Sequence, residues 1–472
     1  MLWEAVLKGS RMHDDDIKGL CKPRPEHELL DPSPLIRSIW HFLKNTLCSH
    51  EHYETLHCIE LMYNSDNATL SFDQVKHRIR WLSGVVPLEH DMCTNLCVAY
   101  TGPYSDLESC PRCSEPCYVP RSTKPQKQFS TIPIGLVVQA FYASSELSQH
   151  MHYLKKTLAV NLETASNNLG LLDIYNDTTC GQELLHAWHD GCFRRNDIAL
   201  QFSIDGAQLR HDQQSEAWVF IWVIHNLPPE LCYKKAFIIP GAIVPRPNKP
   251  GDIDSFLFPS LYHVAARQRE GLMIYDAYLD VVRPCVIPVI LFHMADSLGS
   301  AVMSGMVGHS GRYGCRLYSD MPGWHHDKDT HYYPVMSHPH SYSVTQCCHL
   351  NDSVHDVVVY WKHLPWKYKQ NIKHLPELDS EKQFREQWLD MGLCKQTLFS
   401  RLPIQVLAIP NIFTMNIMHL SALNNPDLFM KLFTGKLDMY EPDDQGTWDW
   451  AIFYKDNRLW NAHGLTVPPH NG

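Results

Sequence analysis

Two aspartates in this chain follow apolar runs, and each is followed by a small residue. Asp205 comes after the run Ile198 to Ile204, and Asp296 comes after the run Cys285 to Ala295. Such runs predict β-strands, and the segment between them can form a hairpin and a helix that make the strands neighbours in a mixed sheet. Paired carboxylates on strands can hold two Mg²⁺ ions for phosphodiester chemistry, because hard cations prefer oxygen ligands. The alternative interpretation is that both are solubilising residues at strand ends.

A second group with ligand chemistry is a cluster of cysteines. Cys93 and Cys97 are separated by three residues, twelve residues follow, and Cys110 and Cys113 flank a Pro-Arg pair. This spacing predicts a four-thiolate structural zinc site, which stabilises small units without a large core. Four thiolates leave no open position for catalysis. Cys117 could replace one of the four or remain free, and the alternative for the whole cluster is a set of buried cysteines without metal.

A third feature is the stretch 361–374, in which lysines alternate with aromatic residues. This combination can bind a nucleic-acid backbone and stack on bases. The alternative is an ordinary solvated helix or loop face. The candidate nucleic-acid-binding residues are Trp361, Lys362, Trp366, Lys367, Lys369 and Lys373.

Composition limits the function classes. The chain has 472 residues, 44% of them hydrophobic and 19% charged, with a formal net charge of −10. These values are ordinary for a globular protein and argue against a strongly basic nucleic-acid binder, so any DNA contact must be local. The 16 cysteines are dispersed, and the beginning of the chain does not resemble a signal peptide. No run is long enough to span a membrane, so a soluble intracellular protein is expected.

The elements expected to position these residues follow from periodicity and turn signals. Helices are predicted near residues 34–47, 72–82 with Ser71 as N-cap, 133–170 and 379–393. Three strands are predicted between 198 and 244, then a helix from Ser255 with Asp254 as its N-cap, then strand over 271–295 with Pro288 at an edge or bulge. The predicted domains are a helical region at 1–90, a zinc-ribbon-like module at 91–118, a linker and helical segment at 119–196, a core at 197–320, and an insertion or helical region at 321–472.

Several blocks together resemble a known family. Residues 70–113, 197–209, 218–264, 295–318 and 416–429 are similar to the transposase of CACTA-type (En/Spm-like) DNA transposons, in particular the fungal branch. The resemblance extends from about residue 30 to the end. It implies an RNase H-like α/β core with a mixed sheet. In that core, carboxylates and two divalent metal ions, Mg²⁺ or Mn²⁺, drive DNA strand cleavage and transfer at the terminal inverted repeats.

The resemblance also implies roles for individual residues. Asp205 in Ser-Ile-Asp-Gly matches the first catalytic acid, and Asp296 in Met-Ala-Asp-Ser matches the second. The family's cysteines correspond to Cys93, Cys97, Cys110 and Cys113, and the ion they would hold is Zn²⁺.

The chain departs from the family pattern at several positions. Asn416 stands where the family commonly has the carboxylate of Asp-Xaa-Met-His, a motif that ends here at His419. After the second acid, a small cysteine motif is reduced to Cys315. The third catalytic acid, expected on a helix further downstream, has no convincing equivalent before Gly472. We therefore expect a truncated or degenerate copy with an incomplete catalytic core.

Three functional hypotheses follow. The first is a transposase-derived protein without a complete catalytic core. The second is an active nuclease or transposase whose third acid is Glu441, Asp443 or Asp444. The third is a non-enzymatic, zinc-containing module that binds protein or DNA partners. The family implies transposon-end DNA as the partner and the nucleus as the location; a homo-oligomer is compatible with it, and no small-molecule substrate is expected.

Overall fold

The computed structural model describes residues 1–23, 34–44, 49–63, 68–208, 216–245, 249–315, 318, 364–375, 380–415 and 425–434. The chain divides into two compact units, Met1–Phe413 and Thr414–Gly472. Within the described residues, no helix combines the length and the apolar character needed to cross a membrane.

Helices occupy much of the first unit before the sheet is complete. Those that precede the long sheet strands are α1 (Asp14–Cys21), α2 (Pro34–Lys44), α3 (His50–Tyr63), α4 (Phe72–Ser83), α5 (Ile134–Tyr142), α6 (Ser145–His150), α7 (Tyr153–Asn167) and α8 (Gln182–His189). The predicted N-cap of α4 is present: Ser71 accepts the N–H of Gln74, and the Gln74 side chain accepts the N–H of Ser71.

Seven strands form one mixed sheet in the order β1-β2-β5-β4-β3-β8-β9. Their ranges are β1 (Leu88–Asp91), β2 (Gln128–Thr131), β3 (Ile198–Gln208), β4 (Glu216–Ile224), β5 (Ile239–Pro245), β8 (Pro288–Ala295) and β9 (Phe413–Met415). Strands β1 to β5 pair antiparallel with their neighbours, whereas β3 and β8 pair parallel. The prediction of a mixed α/β fold is confirmed.

The connection from β3 to β8 explains how two distant strands become neighbours. After β4 and the short helix α9 (Pro229–Cys232), the chain forms β5, the long helix α10 (Ile253–Glu270), and then a separate hairpin of β6 (Leu272–Asp276) and β7 (Val281–Val286). This is the hairpin and helix predicted between the two apolar runs. Pro288 is the first residue of β8, which lies inside the sheet, so the predicted edge position is wrong. The register of β8 against β3 shifts after Ile290, so the irregularity lies beyond Pro288. A proline is tolerated at position 288 because a strand's first residue need not donate.

Helix α10 begins earlier than predicted. Its N-cap is Asp252, whose side chain accepts the N–H of Asp254, so the prediction of Asp254 as N-cap is wrong by two residues. Pro259 lies inside the helix and cannot donate to the carbonyl of Ser255. The hydroxyl of Thr101 donates to that carbonyl instead. This substitute donor accounts for the tolerance of a proline in the second turn.

The main core lies between α10 and one face of the sheet. Helix α10 packs on β5 and β8, and the Phe256 ring lies 5.3 Å from the Phe129 ring of β2. Phe202 of β3 is fully buried, with ring centroids 4.7 Å from Trp222 of β4 and 5.7 Å from Phe399. Burial of rings this large fixes the positions of the strands that carry the aspartates.

The structure describes four α-helices after β8. They are α11 (Ser297–Ser304), α12 (Leu364–His374) and α13 (Glu381–Met391) in the first unit, and α14 (Asn425–Phe433) in the second. The predicted helix at 379–393 is therefore present as α13. Between the cysteines and β2, residues 119–128 form a turn in which the N–H of Val119 donates to the carbonyl of Lys124. The domain boundaries given above stay predictions.

Candidate functional site

Asp205 lies on β3, near the end at which the strand leaves the core. It pairs with Val219 of β4, and its side chain is exposed. One carboxylate oxygen, Oδ1, accepts the N–H of Gly206 at 2.8 Å. Within the described part of the chain, Oδ2 has no hydrogen-bond partner. Asp205 therefore presents an oxygen to solvent from a rigid strand, as a ligand for a hard cation requires.

Asp296 directly follows β8 and is the N-cap of α11. Its Oδ1 accepts the N–H of Gly299 at 2.6 Å, and the side chain is exposed. A Cβ at position 299 would lie 2.9 Å from this oxygen, so the glycine allows the close approach. Ser297, Leu298 and Gly299 thus form the first turn of α11, and the Gly299 N–H holds the carboxylate.

The register of the two strands brings these aspartates to the same level. Ser203 of β3 pairs with Met294 of β8, and each aspartate lies two residues further along its strand. Adjacent strands are about 4.8 Å apart, so the backbones at the two aspartates lie at the same end of two neighbouring strands. Mg²⁺ is commonly held by one or two carboxylates with water completing its shell, and this donor pair fits such an ion. When bound, the ion would supply charge stabilisation to a phosphate.

Five other residues were considered for this site, two at the degenerate motif and three as candidates for the third acid. Asn416, His419, Glu441, Asp443 and Asp444 lie outside the described residues. Among the residues that the structure describes, one cluster contains three or more side chains that could bind a metal ion. It consists of four cysteines and includes neither aspartate.

The four predicted zinc ligands converge. The Sγ atoms of Cys93, Cys97, Cys110 and Cys113 all lie within 4.8 Å of one another, and those of Cys93 and Cys113 are 3.5 Å apart. A tetrahedral zinc ion with Zn–S bonds of about 2.3 Å needs sulfur atoms roughly 3.8 Å apart. The cluster is therefore compatible with zinc, as the spacing predicted.

Two tight turns position the thiols. The N–H of Cys93 donates to the carbonyl of Val98, and Leu96 adopts a left-handed conformation with φ of 57°. In the second turn, the N–H of Cys110 donates to the carbonyl of Glu115, and Ser114 has φ of 61°. Each turn folds one pair of cysteines so that both thiols face the same point, which short spacing in sequence makes possible.

Hydrogen bonding and burial shift the pKa values of the thiols in opposite directions. The backbone N–H of Glu115 and the side-chain amide of Asn95 lower the pKa of Cys113 to about 6. Burial raises the pKa of Cys97 to about 12. A thiolate that accepts N–H groups is a prepared metal ligand, and a cation is needed to hold the buried thiols as thiolates beside it.

Cys117 is not part of the cluster. It is buried beside the four ligands in a small apolar core, and burial raises the pKa of its thiol to about 11. A neutral buried thiol behaves as a small apolar side chain. Cys117 is therefore a packing residue in this unit.

Helix α12 carries part of the predicted basic and aromatic stretch. Trp366, Lys369 and Lys373 are exposed and lie at helical spacings of three and four, on one face. The opposite face buries Tyr368 and Ile372. Lys367 is half-buried, and Trp361 and Lys362 lie outside the described residues.

Residues that hold the cysteine unit in place were not predicted. The carbonyl of Cys97 accepts the N–H of Asp252 at 2.8 Å, and the carbonyl of Leu96 accepts the N–H of Gly251 at 2.9 Å. The Tyr104 hydroxyl donates to Asp252 Oδ2 at 2.9 Å. The sequence signal at this contact is Gly251, and a glycine alone does not indicate its partner.

Comparison with known proteins gives a match for the part of the chain that contains both aspartates. No curated protein is detectably similar to the chain. Residues 193–347 match the model described as transposase family tnp2, and these residues include β3, β8 and the first turn of α11. This match supports a transposase family for the chain.

Proposed function

We propose that this chain is a transposase-derived protein of the CACTA type with an RNase H-like core, in which Asp205 and Asp296 hold Mg²⁺ or Mn²⁺. The observation that supports the proposal most directly is the parallel pairing of β3 with β8, whose last matched pair, Ser203 with Met294, lies two residues before each aspartate. The strand order β5-β4-β3-β8-β9, with α10 connecting the antiparallel strands to β8, also supports an RNase H-like arrangement.

The proposal includes an incomplete catalytic centre. Asp205 and Asp296 supply two carboxylates, each fixed by one backbone N–H. Asn416 offers an amide where the related motif has a carboxylate, and a neutral oxygen is a weaker ligand for a divalent ion. We infer that the site binds a metal ion and does not cleave DNA. The ancestral partner would be the DNA at the ends of the transposon, in the nucleus.

A nicking assay tests this proposal. Supercoiled plasmid is incubated with the full chain and Mn²⁺, in parallel with the Asp205→Ala variant. The expected result is equal, background conversion to the open circle, because two-metal cleavage needs more than two carboxylate ligands. Nicking that requires Mn²⁺ and is lost in Asp205→Ala would contradict it. That result would support the active enzyme, and single alanine variants at Glu441, Asp443 and Asp444 would then identify the third acid.

A second candidate function is nucleic-acid binding by α12 without catalysis. It is favoured by the exposed face that groups Trp366 with Lys369 and Lys373. An indole can stack on a base while lysines contact phosphates, and the contact is local, in agreement with a net charge of −10.

The expected result for α12 is weaker binding of a labelled single-stranded oligonucleotide when Trp366, Lys369 and Lys373 are all changed to alanine. Loss of two phosphate contacts should reduce the slope of log affinity against log salt by about 1.4. The double variant Lys8→Ala, Lys382→Ala is the charge-matched control and should bind as the wild type does. Equal binding by both variants would exclude this face.

A further inference from the structure

We propose that the four-cysteine unit is a fixed support for the end of the sheet at which Asp205 and Asp296 lie. In this proposal its zinc ion orders the first turn of α10 and, through Lys395, the helix α11 that begins at Asp296. The proposal relies on the proposed function only for the role of Asp296. Its test measures local order, which does not depend on Mg²⁺ binding or DNA cleavage.

The first step is the main-chain contact between the cysteine unit and α10. The turn that carries Cys97 accepts two successive N–H groups, from Gly251 and from the N-cap Asp252. A Cβ on Gly251 would lie 2.8 Å from the Cys97 carbonyl oxygen and 3.0 Å from an Arg112 guanidinium nitrogen. Position 251 therefore has no room for a side chain against the carbonyl of Cys97, which is itself a predicted zinc ligand.

Side chains extend this contact along the first turn of α10. The hydroxyl of Ser255 accepts the N–H of Ala99 at 2.9 Å, and Thr101 donates to the Ser255 carbonyl. Ser255 and Thr101 are both buried. Gly102, with φ of 54°, packs against the Phe258 ring, which a Cβ would approach at 3.0 Å. The Cys97 turn and the residues that follow it thus contact the first two turns of α10 at several points.

The second step runs from α10 to α11. Asp254 in the first turn of α10 forms an ion pair with Lys395, with an Nζ to Oδ2 distance of 2.7 Å. The N–H groups of Cys394 and Lys395 both donate to the carbonyl of Gly305, the residue that ends α11. The Thr397 hydroxyl donates to the carbonyl of Met303 in the last turn. These bonds connect α10, through residues 394–397, to the C-terminal end of α11, the helix whose N-cap is Asp296.

Hydrogen exchange measured by mass spectrometry on the full chain tests the proposal. Removal of zinc with a chelator is expected to raise exchange about tenfold or more in residues 251–257 and in residues 297–304. Unchanged exchange in both segments after zinc removal would overturn the proposal.

Two pairs of variants keep the test valid even if zinc removal unfolds the whole chain. Gly251→Ala retains all four thiols, so zinc content should stay unchanged while exchange rises in residues 251–257. Gly308→Ala, whose added Cβ would meet no atom within 4 Å, should leave exchange unchanged. Equal behaviour of the two glycine variants would overturn the first step.

Lys395 is tested as a positioning residue with a conservative rescue. In zinc-loaded Lys395→Met, exchange should rise in residues 297–304 and stay unchanged in residues 251–257. Lys395→Arg, which keeps the positive charge, should restore the wild-type pattern at α11. Equal exchange at α11 in the wild type and in Lys395→Met would overturn the second step.

Discussion

Replacement of Cys110 by serine is expected to release the zinc ion and unfold the four-cysteine unit, whereas Cys117→Ser should retain the ion. Cys110 and Cys117 are both buried in the same small core, yet only the Sγ of Cys110 lies within the four-sulfur cluster. The comparison therefore separates the loss of a ligand from the loss of a buried thiol. Structural zinc contributes on the order of 10 kcal/mol or more to small units of this kind.

The measurement is zinc content per chain together with the thermal unfolding midpoint. The wild type and Cys117→Ser should each hold one zinc ion per chain, and Cys117→Ser should show a modest loss of stability, roughly 1 kcal/mol. Cys110→Ser should hold none and should unfold at a lower temperature than Cys117→Ser. No zinc in the wild type, with the same midpoint for Cys110→Ser and Cys117→Ser, would show that the cluster is a set of buried cysteines without metal.

The second large effect expected is loss of stability in mild acid, caused by buried neutral histidines. Burial lowers the pKa of His263 to about 3, of His293 to about 3, of His90 to about 3 and of His225 to about 4. The unfolded state has the ordinary value of about 6.5 and binds more protons below it, so folding stability falls as pH decreases from about 6.5. Each histidine then removes about 2 kcal/mol by pH 5, and four together approach the whole stability of a typical domain.

His263 gives this prediction a specific test. Its Nε2 accepts the N–H of Gly135 at 3.2 Å, a bond that only the neutral ring can accept. His263→Gln, whose amide oxygen can accept the same N–H without titrating, should move the acid midpoint of unfolding to lower pH. The exposed residue His189 provides the control, and His189→Gln should leave the midpoint unchanged. The measurement is circular dichroism against pH, and identical midpoints for the three proteins would contradict the explanation.

The parts of the fold that follow local rules were predictable from the sequence. The N-cap at Ser71 and the apolar runs before Asp205 and Asp296 predicted a helix and two strands, because caps and apolar runs act within a few residues. The spacing of Cys93, Cys97, Cys110 and Cys113 predicted the cluster, since metal geometry limits ligand spacing.

The parts that depend on distant contacts were not predictable. Pro259 lies inside α10, and the hydroxyl that compensates for it belongs to Thr101, far away in sequence. The N-cap moved to Asp252 because the cysteine unit accepts its N–H, a contact with no local signature. Pro288 was predicted at an edge or a bulge, and the sequence could not show that β8 lies between β3 and β9, because that pairing is set by the whole sheet.

The most direct test of the central claim is calorimetric titration of the zinc-loaded chain with Mn²⁺. The wild type is compared with the double variant Asp205→Ala, Asp296→Ala, and with Asp14→Ala, Asp173→Ala, which removes two exposed carboxylates elsewhere. The account predicts saturable binding in the wild type and the control variant, and loss of that binding in Asp205→Ala, Asp296→Ala. Equal binding in all three proteins, or no binding in any of them, would contradict the claim that these two strands form a metal site.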